Sequence, residues 1–185
     1  MSRYSIDFGF IAALEGAAIT RAYVPDAANS KSGVTLGTGF DLGQRNLQDL
    51  QNLQLPAGLV QRLSPYLRLT GLKAVAYLDL HPLSISSAEA ELIDEAFKAP
   101  FVERLAAAYS SASGLDFAQL PAAMQTVIAS VAFQYGNLAK RTPNFWAQVV
   151  ARDWPSALAN LRNFGDSYRS RRRQEAELLA SGMPS

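Results

Sequence analysis

The stretch Gly33-Val-Thr-Leu-Gly-Thr-Gly-Phe-Asp-Leu-Gly-Gln44 decides the fold of the N-terminal part of the chain. Gly37-Thr38-Gly39 predicts a three-residue turn, because glycine readily adopts the backbone conformations that tight turns need. The flanking residues then pair as a hairpin in which Thr35 faces Asp41. Directly opposed residues hold their side chains about 4.5–5.5 Å apart on one face. The pattern therefore predicts a hydroxyl beside a carboxylate, with the turn glycines leaving room for a bulky ligand.

The remaining hairpin residues predict a buried face. Leu36 faces Phe40 in the same register, and Val34 shares their parity, so all three are predicted to lie on the core side. A single straight strand over residues 35–41 would separate Thr35 and Asp41 by about 20 Å. The hairpin is thus the arrangement in which the two polar side chains act together.

A second carboxyl group lies upstream, at the end of a predicted helix. Ser5 is a suitable cap, apolar residues recur at helical spacing as far as Leu14, and Gly16 is a suitable stop. At a helix C-terminus the macrodipole and apolar neighbours both disfavour negative charge on Glu15, which suits a general acid, whereas a paired arginine would act in the opposite direction. One protonated and one ionised carboxyl are what glycoside hydrolysis requires. Taken alone, a surface glutamate, a turn aspartate and an ordinary strand threonine fit as well.

The rest of the chain is predicted to be helical. Residues 22–42 predict a sheet of two or three strands. Helices follow, at about 47–53, 57–63, 72–80, 86–97, 100–109, 121–133, 145–150, 155–161 and 168–179, with a loop at 110–114. Ser86 and Glu89 form a capping-box pattern, and 121–133 is the most apolar segment. The fold class is α+β, mostly helical.

Composition limits the classes of function. Of 185 residues, 49% are hydrophobic and 18% charged, which suits a chain with a sizeable core. A net charge of +1 gives no indication of nucleic-acid binding, and the absence of cysteine excludes thiol and Cys-metal chemistry. With one histidine, His81, and no ligand cluster, we expect no metal and no cofactor. The arginines of the last quarter, from Arg162 to Arg173, fit either a solvated helix face or contact with an anionic polymer.

These motifs resemble the active-site region of tailed-phage lysozymes, and most closely their pesticin-like branch. The similar features are Glu15-Gly16, Tyr23 followed by an aspartate, and the hairpin run ending Asp41-Leu-Gly-Gln44. Phe133-Gln-Tyr-Gly136, Asp153-Trp154 and the run 171–178 follow in the same order. The resemblance implies one lysozyme-like domain over 1–185. A small β-containing lobe would span about 16–70 and a helical lobe about 71–185, with helix 5–15 packing on the helical lobe and the substrate groove between the lobes.

The resemblance also implies the catalytic residues. Glu15 matches the acid that protonates the leaving oxygen, Thr35 the threonine that holds the attacking water, and Asp41 the pesticin-branch aspartate that works with it. Classical phage enzymes place their aspartate shortly after the tyrosine of the first strand, where Asp26 stands one residue late, behind an inserted Pro25. Asp26 is therefore the alternative to Asp41. We favour Asp41 because its sequence context agrees with the hairpin geometry.

Other matched positions imply contacts with the substrate. Arg171 aligns with the arginine that pairs with the catalytic glutamate in the phage enzymes, with Arg169 as the alternative. Gln134, Tyr135 and Asn137 match the region that lines the substrate cleft, although Tyr135 also suits core packing.

The resemblance implies a muramidase that cleaves the β-1,4 bond between N-acetylmuramic acid and N-acetylglucosamine with inversion, for which the two carboxyl groups would lie about 6.5–9.5 Å apart. The alternatives are a lytic transglycosylase and a non-catalytic peptidoglycan-binding relative. We expect a monomer. We also expect no stable membrane insertion, since the sequence has neither a long apolar run nor a signal peptide. It would be made in the cytoplasm and reach the periplasm through a holin or a secretion machine, as an endolysin or an antibacterial effector toxin. An effector would be countered by an immunity protein.

Overall fold

A computed structural model describes residues 3–16 and 19–183 of the chain. The chain divides into two compact units. Residues from Phe8 to Ala99 form the first, here called the sheet unit; the residues from Pro100 onward, with those before Phe8, form the second, here called the helical unit. The lobe bounds and the groove expected from the sequence stay predictions.

The sheet unit contains a three-stranded antiparallel sheet. Its strands are β1 (Ile19–Tyr23), β2 (Thr35–Gly37) and β3 (Phe40–Asp41), in the order β1-β2-β3. Thr35 pairs with Asp41 and Leu36 with Phe40, which confirms the predicted hairpin register. Val34, Leu36 and Phe40 are buried, as their parity predicts. With the many helices that follow, the predicted α+β class, mostly helical, is confirmed.

Among the described residues, four α-helices lie wholly within the sheet unit: α1 (Phe8–Leu14), α2 (Leu47–Asn52), α3 (Ala57–Leu63) and α4 (Gly71–Leu80). Helix α2 begins at a capping box in which Asn46 and Asp49 each accept the other's backbone N–H. The predicted start of α1 was wrong. Ser5 lies three residues before the helix and, within the helical unit, its backbone N–H donates to the Gln125 side chain at 2.9 Å.

The long helix α5 (Ser87–Ser113) was predicted as two helices and a loop. The predicted break before Pro100 is wrong, because α5 continues through the proline. The ring fixes φ near the helical value. The helix-favouring alanine and leucine residues on either side offset the lost hydrogen bond and the clash of the ring with the carbonyl four residues earlier. The predicted loop at 110–114 is wrong as far as Ser113. The helix ends at Gly114, whose φ of +72° is costly for other residues.

The helical unit holds the part of α5 that follows Ala99 and five further helices: α6 (Ala122–Tyr135), α7 (Leu138–Arg141), α8 (Pro143–Val150), α9 (Trp154–Arg162) and α10 (Arg169–Ser181). Every residue of α6 from Met124 to Ala132 is buried, so α6 is the core element predicted from its apolar sequence. Over the ranges that the structure describes, no helix combines the length and apolar character needed to cross a membrane.

The hydrogen bonds at the start of α5 predict that the stability of the fold depends on pH. The Glu89 carboxylate accepts from Ser86 N at 2.8 Å and from the Arg62 guanidinium at 2.7 Å. The hydrogen bond from Arg62, followed by that from Ser86, lowers the pKa of Glu89 from 4.5 to about 2. A carboxyl whose pKa is lower in the folded protein stabilises the fold above the unfolded pKa, and that stabilisation disappears as the pH falls through the folded pKa.

We therefore expect Glu89→Gln to lower Tm at pH 6, and this difference from the wild type to shrink steadily between pH 4.5 and pH 2. Thermal melts monitored by circular dichroism across this range measure it. Glu91→Gln is the matched control, because Glu91 is exposed on the same helix. A Tm difference for Glu89→Gln that stays constant with pH would contradict the interpretation.

Candidate active site

The hairpin places Thr35 and Asp41 opposite each other, and each side chain also forms hydrogen bonds to the backbone that stabilise the hairpin. Thr35 is buried, and its Oγ1 donates to the Gly33 carbonyl at 3.0 Å. Asp41 Oδ1 accepts from Gly43 N at 2.8 Å and from Gly33 N at 3.0 Å, and it caps the short 3₁₀ turn Leu42–Gln44. Asp41 is thus a capping aspartate as well as a candidate catalytic one, and its catalytic role stays a prediction.

Two glycines of the hairpin segment, Gly33 and Gly39, have different surroundings. A Cβ on Gly33 would lie 2.4 Å from Gly43 Cα and 2.4 Å from the Leu69 carbonyl oxygen, so a side chain is excluded there. A Cβ on Gly39, at φ +105°, would meet no atom within 4 Å. The turn is therefore open at Gly39, as predicted from the glycines, and closely packed at its base.

Helix α5 fastens the hairpin turn through Asp94, which sequence reasoning missed. Asp94 is 2% exposed, and its Oδ1 accepts from Thr38 N at 3.0 Å. A Cβ on Gly37 would lie 2.7 Å from the same oxygen, so the turn needs glycine at this position. The available signal was the position of Asp94 on the same helix face as Ala90, where a polar residue is unusual.

We expect Asp94→Ala to lower the free energy of unfolding by about 1–3 kcal/mol, since it leaves a partly buried backbone donor without its charged acceptor. Urea unfolding measures the loss, and hydrogen exchange of the Thr38 amide should accelerate. Asp79→Ala, at an exposed site on α4, is the control. Unchanged Thr38 exchange in Asp94→Ala would show that the turn does not depend on this carboxylate.

Glu15 lies directly after α1, as predicted. Its N–H donates to Ile11 O at 3.2 Å and Ala12 O at 3.1 Å, and Gly16 follows at φ +100°, so the predicted glycine stop is confirmed. The Glu15 side chain is 25% exposed. It is thus partly shielded from solvent.

Lys98 lies beside Glu15, and sequence reasoning missed it as well. Its Nζ is 3.2 Å from Glu15 Oε2, and its side chain is only 10% exposed. The hydrogen bond from this nearly buried ammonium group fixes the orientation of the Glu15 carboxyl group, and the protonation of Glu15 expected from the sequence stays a prediction. Lys98 follows Asp94 by one helical turn of α5, so one helix face contacts both Glu15 and the hairpin turn.

The alternative aspartate, Asp26, lies in a turn after β1. It adopts a φ of +41°, and its Oδ1 accepts from Asn29 Nδ2 at 2.9 Å. Such local bonding is typical of a turn aspartate. Its role opposite Glu15 stays an alternative prediction.

In the helical unit, two of the predicted substrate residues belong to a hydrogen-bonded network. Tyr135 Oη donates to Asp166 Oδ2 at 2.6 Å, and burial together with this bond raises the pKa of Tyr135 to about 12. Arg172 lies 3.3 Å from the same carboxylate oxygen through Nε and donates through Nη2 to Gln134 Oε1. Its guanidinium also covers the Phe164 ring at 4.8 Å.

The other two predicted substrate residues lie at helix ends. Arg171 Nε is 3.2 Å from Glu175 Oε1, and its Nη2 donates to Ser130 O at 3.0 Å. Asn137 accepts from Lys140 N at 3.1 Å and caps α7. The structure thus gives Arg171 and Asn137 structural contacts, and contact with substrate stays a prediction for both. In the described parts of the chain, no group of three or more histidine, aspartate or glutamate side chains is placed to hold a metal ion.

Comparison with known proteins places the chain among lysozyme relatives. A family model described as Pesticin, a bacterial toxin homologue of phage lysozyme (C-terminal part), matches residues 5–155. The protein therefore belongs to the Pesticin family and has its lysozyme-like character, which supports a glycoside hydrolase acting on peptidoglycan. A search of curated proteins gave no match. The matched range includes Glu15 and the whole hairpin and ends before α10.

Proposed function

We propose that the protein is a muramidase that hydrolyses the β-1,4 bond between N-acetylmuramic acid and N-acetylglucosamine in peptidoglycan. The observation that supports this most directly is the pairing of Thr35 with Asp41 in a chain of the Pesticin family, twenty residues after a glutamate at a helix end. This arrangement combines a candidate acid with two groups suited to holding a water molecule.

Each group has a distinct role in the proposed reaction. Glu15 gives its proton to the glycosidic oxygen as the bond to the anomeric carbon breaks. A water molecule attacks that carbon from the opposite face and loses a proton to Asp41. Because Thr35 Oγ1 donates its own proton to Gly33 O, its lone pairs are left to accept from the water. A single displacement of this kind inverts the anomeric configuration.

Product analysis tests the reaction. Digested sacculi should release muropeptides with reducing N-acetylmuramic acid ends, which borohydride reduces and mass spectrometry identifies. Anhydro ends would assign a lytic transglycosylase instead. Proton NMR of fresh digests should show the α-anomer first, and initial appearance of the β-anomer would contradict inversion.

The proposed site of action is the periplasm, where the protein would serve as an antibacterial effector toxin or a phage endolysin. Production in the cytosol of Gram-negative cells should be harmless, whereas fusion to a secretion signal should cause lysis. If the co-produced product of a neighbouring gene protects the cells from this lysis, an effector with an immunity protein is favoured. Lysis dependent on a holin, without such protection, would favour an endolysin.

A further inference from the structure

Four arginines line one pocket of the helical unit. Arg162 ends α9, and Arg169, Arg172 and Arg173 lie in the first turns of α10. The connecting segment 163–166 completes the lining of a pocket of about 470 Å³. This volume falls in the range of small-ligand sites.

The pocket has an excess of positive charge. Asp166 is the acidic residue in its lining, and its carboxylate is already engaged by Tyr135 and Arg172. Within the described parts of the chain, Arg162 and Arg169 form no ion pair. Arg173 approaches Glu177 only to 3.9 Å, with both side chains about 70% exposed or more, and such surface pairs are weak.

The start of α10 increases this excess. The helix has thirteen residues, no acidic residue in its first turn and no side-chain cap at Tyr168. The N–H groups at the start of a helix and the macrodipole give a helix N-terminus partial positive charge, to which arginine at this end adds. Asp166 offsets part of this charge, because its carboxylate accepts from Tyr168 N at 3.0 Å at the same end. The exposed Arg162, Arg169 and Arg173 leave a net positive charge that favours an anion.

The lining also selects among anions. A guanidinium group matches the two oxygens of a carboxylate with parallel hydrogen bonds. The partly exposed Phe164 adds apolar surface beside the arginines, which suits the methylene groups of a peptide better than a bare inorganic ion. The favoured ligand is therefore a short peptide that carries carboxylates.

We propose that this pocket binds the carboxylate-bearing stem peptides of peptidoglycan, an inference that rests on the proposed muramidase function. Stem peptides carry free carboxyl groups along the chain and at the C-terminus, and the murein mesh presents many of them. Occupation of the pocket would hold the enzyme on cross-linked wall during repeated cleavage. It would also explain why α10 carries more arginines than Glu175 and Asp166 can pair with.

The test compares two substrates, intact sacculi and glycan strands freed of peptides by an amidase. The variant Arg162→Gln/Arg173→Gln should raise KM on intact sacculi about tenfold, the loss expected for two charge-assisted contacts, with kcat unchanged. On peptide-free strands it should match the wild type. The control Lys73→Gln/Arg141→Gln removes the same charge from exposed sites outside the pocket and should leave KM unchanged on both substrates.

An unchanged KM on intact sacculi, or an equal rise on both substrates, would overturn the proposal. Titration of isolated tetrapeptide into the wild-type protein, followed by NMR of the arginine Nε–H signals, tests binding without catalysis. The free-acid peptide should bind, and the amidated peptide should not. Inorganic phosphate that binds as tightly as the peptide would show a general anion site and overturn the peptide assignment. If the wild type cleaves neither substrate, the proposed function fails, and the titration still decides what the pocket binds.

Discussion

Glu15→Gln is expected to lower kcat on purified sacculi about 10³-fold, the contribution typical of a positioned general acid. Glutamine keeps the size of the side chain and the acceptor for Lys98 but has no proton to give to the leaving oxygen. KM should change little, since the rest of the site is untouched. Turbidity clearing of permeabilised Gram-negative cells and release of reducing ends both measure the loss.

The Glu15→Gln experiment needs a stability control. The substitution replaces the carboxylate beside the nearly buried Lys98 ammonium group by a neutral amide, which costs stability. The double variant Glu15→Gln/Lys98→Met removes both partners. It should recover the Tm lost in Glu15→Gln while remaining inactive. Activity in either variant within tenfold of the wild type would remove Glu15 from the mechanism, and the absence of clearing by every form, including the wild type, would favour a non-catalytic binding protein.

The second large effect is on stability, at Glu175. This side chain is fully buried, accepts from Ser130 Oγ at 2.5 Å and lies 2.7 Å from Arg172 Nη1 and 3.2 Å from Arg171 Nε. Glu175→Ala leaves both guanidinium groups without this partner in the core of the helical unit. Removing one side of a buried ion pair typically costs about 3–5 kcal/mol, and we expect a loss of that size in the free energy of unfolding.

Urea unfolding of Glu175→Ala measures this effect, with Glu177→Ala as the matched control. Glu177 lies two residues further along α10, is 70% exposed and should contribute little. Glu175→Gln keeps the hydrogen bond to Ser130 and should lose less than the alanine variant. A loss below about 1 kcal/mol in Glu175→Ala would show that Asp166 alone compensates Arg172.

The sequence predicted those parts of the site that depend on neighbours in the chain. The register of Thr35 and Asp41 follows from a glycine turn and the alternation of a strand, and both operate within nine residues. The end of α1 before Gly16 and the capping box at Ser86 are equally local. These features need no information from distant segments.

The missed features depend on distant partners. Lys98 contacts a carboxylate 83 positions earlier, and Asp94 contacts an amide 56 positions earlier. Helical periodicity shows that both share a face but does not show what that face meets. Ser5 was assigned to a cap because its nearest helix suggested one, whereas its partner Gln125 lies 120 positions away. The sequence prediction divided α5 at Pro100 because the helix propensity of proline alone is low. That value does not include the stabilisation that the rest of a long helix provides.

The spacing of Asp94 and Lys98 restricts how the length of α5 can change during evolution. An insertion of one residue between Ser87 and Asp94 would rotate both side chains by about 100° about the helix axis, so the hairpin turn and Glu15 would lose their contacts in a single event. An insertion of three or four residues, close to a whole turn, would restore the direction of both side chains but move them about 5 Å along the axis. This segment should therefore accept substitutions far more readily than changes in length.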